Sequence, residues 1–124
     1  MRNDRKNIIV EKSFEFAVNI VMFTENLNGQ KRFILANQLF KSGTSIGANI
    51  KEAQNAESKK DFIHKMKIAA KEWDETEYWL ELAEKLNFTT GELLAECREI
   101  QRILSKIIST SKKKAPAFSN SQIS

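Results

Sequence analysis

Apolar residues recur along this chain at alternating steps of three and four, the rhythm of one α-helical face. The clearest run is Phe62, Met66, Ala69, Trp73, Thr76, Leu80 and Ala83, a sustained heptad seam. Ser58 precedes it as a favourable N-cap, with Asp61 three residues on in a capping-box-like position. This predicts a helix over about 59–86. Leu93, Cys97, Ile100, Leu104 and Ile107 predict another over about 91–110, and Thr89-Thr-Gly-Glu92 fits a capping box at its start. The first helix, about 8–27, carries two apolar stripes. One is Phe14, Ala17, Val18 and Val21; the other is Phe16, Ile20, Phe23 and Leu27. A helix burying one face needs one stripe, so two imply two apolar neighbours, the second of which can lie outside the subunit. Gly29 suits a left-handed cap at the end of this helix.

A second helix is predicted over about 33–55, where Leu35, Leu39, Ser42, Ile46, Asn49, Ile50 and Ala53 share a face. Its centre is crowded with residues that helices avoid. Each glycine inside a helix costs roughly 1 kcal/mol against alanine. Gly43 and Gly47 fall four apart and so lie on one side, next to the apolar stripe. Close approach of another helix backbone would offset that cost, because glycine has no Cβ. The alternative is a glycine-rich turn that splits the segment. A phosphate cradle does not fit: Gly43-Thr-Ser-Ile-Gly47 lacks the P-loop lysine and a preceding strand pattern.

Four helices with short connections give an all-α, antiparallel up-down four-helix bundle over residues 1–111. A single domain fits the 124-residue length, and one Pro with four Gly suits a helical chain. Residues 112–124, rich in Lys and Ser, read as a basic, disordered tail. In the third helix Ile68, Trp79, Leu82 and Leu86 form a second stripe beside the core seam. They are candidates for an oligomer interface, since aligned exposed apolar residues mark contact surfaces. Asn49 fixes helix register or is simply exposed; Tyr78 is a candidate polar contact between helices.

Charge adds a pattern. Residues 31–60 carry net +4, residues 61–90 net −3 and residues 91–124 net +3, within an overall +4. Lys60, His64, Lys67 and Lys71 form one stripe on the third helix; Arg98, Arg102 and Lys106 form another on the fourth. Lys60, Lys67, Lys71, Arg98, Arg102 and Lys106 are candidate phosphate contacts. The plainer reading is a solvated helix face or pairing with the acidic third quarter. Aromatic residues do not interleave with these stripes, so base stacking is not expected.

Reaction chemistry finds no constellation. His64 is the sole histidine and Cys97 the sole cysteine, too few for an ordinary zinc site. Cys97 sits on a core seam as a small apolar group. Glu72, Asp74, Glu75 and Glu77 read as a solvated or interface face. No catalytic residue, metal or cofactor is expected, and no small-molecule substrate. The apolar patch from Phe16 to Phe23 contains Asn19 and is too short to span a bilayer. A cytoplasmic location is the expectation, with Lys112-Lys-Lys114 a weak candidate for an anionic membrane surface.

Several segments also resemble a known family. They are Glu11-Lys-Ser-Phe14, Gln38-Leu-Phe-Lys-Ser-Gly-Thr-Ser-Ile-Gly-Ala-Asn-Ile-Lys-Glu-Ala53, Lys60-Asp-Phe-Ile-His64, Ile68-Ala69, Lys71-Glu72 and Glu75-Thr-Glu-Tyr-Trp-Leu80. From about Ile8 to Ile108 the chain looks like the 23S rRNA-intervening-sequence proteins, or S23 family. The resemblance implies a four-helix bundle assembled as a ring-like homo-oligomer of five. A related accessory protein of diversity-generating retroelements has a similar pentameric barrel and binds nucleic acid and a reverse transcriptase. This chain is only modestly basic beside it. No enzymatic activity is implied. The expected partners are other copies of the chain and structured RNA or a nucleic-acid-associated protein. A protein-interaction scaffold without nucleic-acid contact is the alternative.

Overall fold

The computed structural model describes the backbone of residues 4–118 and the side chains of residues 8–113. It contains four helices: α1 (Asp4–Gly29), α2 (Phe33–Ala53), α3 (Lys59–Lys85) and α4 (Gly91–Phe118). α1 packs on α2 and α4, and α3 packs on the same two, while the backbones of the diagonal pairs stay further apart. Short connections reverse the chain each time, which makes an antiparallel up-down bundle.

The seams read from the sequence form the core. Met66, Ala69, Trp73, Thr76, Leu80 and Ala83 of α3 are buried, as are Leu93, Cys97, Ile100 and Leu104 of α4. The second stripe of α1 supplies Phe16, Ile20 and Leu27. Buried hydroxyls bond back to their own helices: Ser13 to the Val10 carbonyl, Thr24 to Val21, Ser42 to Gln38 and Thr76 to Glu72. These bonds remove the cost of leaving a polar atom unpaired in the interior.

α2 runs unbroken through both glycines, which decides between packing and a break. A Cβ on Gly43 would lie 2.9 Å from two carbons of Ile20, and one on Gly47 would lie 3.1 Å from the Ser13 carbonyl oxygen. α1 therefore comes so near to α2 that a Cβ at Gly43 would displace the Ile20 side chain and one at Gly47 would press on the α1 backbone. Asn49 donates to the Ser45 carbonyl of its own helix, 2.8 Å away, and half-buried, it makes no bond to another helix.

The end of α1 differs from expectation. Gly29 is still helical, and Lys31 takes the left-handed conformation at φ 64°. The Arg32 N–H donates to the Leu27 carbonyl and the Lys31 N–H to Asn28, both at 2.9 Å. That is the Schellman pattern, and its left-handed residue falls two places after the only glycine available. α3 ends the same way, with Asn87 at φ 74° and Phe88 N–H donating to Ala83. Both motifs lie at one end of the bundle, where Phe88 meets the edge of Phe23 and the Arg32 guanidinium sits 5.6 Å from the Phe88 ring centre. At the start of α3 the Ser58 cap forms: its Oγ accepts from the Asp61 N–H at 3.0 Å.

α4 is longer than its seam predicts. Residues 112–118, read as disordered tail, continue the helix to Phe118. Lys and Ala are strong helix formers, and the helix carries on through Pro116 in its last turn, where it loses only that residue's N–H bond to the preceding turn. The remainder of that tail, 119–124, lies outside the described residues. Thr90 is buried immediately before α4, and its hydroxyl makes no hydrogen bond among the described residues, so it does not cap the helix through its side chain.

Candidate nucleic-acid interface

α3 and α4 hold all six candidate phosphate contacts, and all are exposed. Trp73 pins the two helices together: its indole N–H donates to the Cys97 carbonyl across the core. Burial pushes the Cys97 thiol up to about 12, helped by the nearby Glu77 and Glu81 carboxylates. A thiol held protonated is neither a nucleophile nor a good metal ligand. Among the described residues no group of three or more His, Cys, Asp or Glu side chains comes together.

The two halves of the α3–α4 face differ in charge balance. In one half Arg98 donates to Glu77 at 3.2 Å and to Glu81 at 3.0 Å. The hydrogen bond to Glu77, with the pull of both carboxylates, raises the Arg98 value above the ordinary one. Arg98 is thus a brace between helices, its charge already offset. Here the acidic third quarter of the chain meets its basic neighbour, as the plainer reading held. Across the bundle Lys12 pairs with Glu99 at 3.2 Å, and Lys65 lies 3.9 Å from both Glu52 and Asp61.

The other half holds the start of α3 and the far part of α4. Lys112 here lies close enough to Lys67 that a hydrogen bond, which only a deprotonated amine could accept, and the repulsion between the two charges hold Lys67 below its ordinary lysine value. Among the described residues no carboxylate pairs with Lys60, Lys67, Lys71, Arg102, Lys106 or Lys112. His64 is exposed on the same side of α3. The sequence reading missed Lys112 by assigning it to a tail. Its signal was available: Lys112 lies two heptads beyond Arg98, and helical spacing carried that far sets it on the side of α4 that turns to α3.

The proposed interface stripe divides. Ile68 and Trp79 are half-buried, whereas Leu82 and Leu86 are exposed. Trp79 donates to Glu75 at 3.2 Å and meets Tyr78 edge-on at 5.0 Å. Tyr78 itself is exposed, and its ring contact is within its own helix. Trp79, Leu82 and Leu86 line one wall of a groove of about 400 Å³, and Phe33, Ile34 and Leu35 of α2 line the other.

The arrangement of four helices around these faces can be set beside known proteins. The 23S rRNA-intervening sequence protein family matches residues 5–109. The chain belongs to that family. Its fold is also that of a crystallised protein of the S23 ribosomal protein family from Bacteroides thetaiotaomicron, whose function is unknown. The two are 45% identical over 85% of this chain and 98% of the other, with a TM-score of 0.81. No curated protein matches the chain. The S23 family pattern thus covers the whole bundle and leaves out the far part of α4, where Lys112 lies. No helix among the described residues is long and apolar enough to cross a membrane.

Proposed function

We propose that this protein is a non-enzymatic helical bundle that self-associates, as a ring of five, and binds structured RNA through the unpaired basic half of its α3–α4 face. The observation that carries this reading is that Lys67 and Lys112 are both exposed, close enough to repel each other, and paired with no carboxylate among the described residues. Such a pair is stabilised by an anion, and a phosphate satisfies both charges at once. Lys60, Lys71, Arg102 and Lys106 extend the positive surface along the two helices. Membership of a family named for rRNA-intervening sequences favours RNA as the source of the phosphates. The contacts run to the backbone, so sequence is read weakly. The reduced, buried Cys97 suits the cytoplasm.

A pair of charge reversals, Lys67→Glu with Lys112→Glu, tests the assignment. Retention of a labelled structured RNA falls at least tenfold while the oligomer mass is unchanged. Undiminished retention removes the basic half from the account. No retention by the unaltered protein at low salt leaves the scaffold alternative, in which the apolar groove meets a protein and RNA is not touched.

A further inference from the structure

α1 keeps an apolar stripe on the side away from the core. Phe14 is 68% exposed, Met22 60% and Val18 44%. Exposed Glu11, Glu15 and Glu25 share that face, so it is apolar and acidic together. The groove between α2 and α3 is the opposite. Its walls are apolar, with Ile34 79% exposed, and Lys31 and Arg32 close its end. Arg32 faces a ring and no carboxylate, which leaves its charge open to a partner.

From these two surfaces we infer that the outer stripe of α1 docks in the α2–α3 groove of a second copy of this chain. The inference rests on the self-association part of the function proposed above and is independent of RNA. Charge decides the pairing. A contact of stripe with stripe would set the α1 acids against themselves, and one of groove with groove would set Lys31 and Arg32 against themselves; like charges face to face are unfavourable. Pairing unlike surfaces brings the acids of one end of the stripe, Glu11 with Glu15 or Glu25, to the basic end of the groove. Each copy then offers one stripe and one groove, on different helices. Such a head-to-tail contact repeats, and it closes into a ring when the rotation per copy divides a full turn.

Complementation between two variants tests this. Phe14→Asp spoils the stripe and Ile34→Asp spoils the groove, and both sites are exposed enough to leave the monomer core intact. Circular dichroism melts close to those of the unaltered protein check that it is. Each variant alone runs as a monomer of 14.2 kDa by light scattering. Mixed one to one, they form a heterodimer of about 28 kDa, twice 14.2 kDa, because one sound stripe meets one sound groove. If the unaltered protein is assembled but the mixture stays monomeric, or either variant alone stays assembled, the pairing is wrong and self-association stands. A monomeric unaltered protein at micromolar concentration overturns both.

Discussion

Single residues set how closely the helices approach. Gly43 and Gly47 would each gain roughly 1 kcal/mol of helix propensity on changing to alanine. Their neighbours oppose that gain. The Ile20 carbons near Gly43 belong to a fully buried side chain, and the atom near Gly47 is a backbone oxygen. Overpacking costs about 1–3 kcal/mol, so Gly43→Ala and Gly47→Ala each lower stability by urea denaturation, despite the better propensity. Lys31 gives the reverse case. It holds a left-handed conformation that glycine adopts without penalty. Lys31→Gly raises the denaturation midpoint, by about 0.5–1 kcal/mol of stability. A fall would show that the Lys31 side chain holds the turn more strongly than its backbone strains it. The glycine pair was legible in the sequence because two costs four residues apart need one common compensation. The left-handed Lys31 was not, because the hydrogen-bond pattern of the last turn chooses the position and glycine merely favours it.

At the level of helices, period was the strongest signal. Heptad seams named the buried residues of α3 and α4 almost one for one, since a bundle core leaves no other use for such a stripe. Partners were less legible. Nothing in the spacing of Arg98 shows that Glu77 and Glu81 face it, because register between helices is fixed by packing. Lys112 was lost for a related reason: basic, Ser-rich composition reads as tail, whereas a preceding helix extends readily through Lys and Ala. The Lys67–Lys112 pair has a pH signature. A folded-state value below the unfolded one means that the folded state releases this proton more readily. The repulsion is therefore fully present below the folded value and fades as pH rises through it. Lys112→Ala returns the Lys67 titration, followed by NMR of the side chain, upward towards the ordinary lysine value. No change would remove the contact. Added salt screens the same repulsion and shifts Lys67 in the same direction.

The whole molecule presents three unlike surfaces: a basic α3–α4 half, an acidic apolar stripe on α1 and an apolar groove between α2 and α3. A ring built through the last two repeats the basic half once per subunit. Repetition matters for RNA, because linked weak contacts bind more tightly than any one of them. Removing self-association by Ile34→Asp thus weakens RNA binding without altering a basic residue, measured as a rise in the apparent Kd of the same labelled RNA. The decisive measurement is the affinity of the unaltered protein for labelled structured RNA across a salt series. Neutralising each phosphate contributes a slope of about −0.9 to log affinity against log salt for a duplex. Three or more phosphates per contact surface predict a slope of about −3 or steeper, and a preference for RNA over duplex DNA. A slope near zero, or no binding at low salt, contradicts phosphate recognition by this face.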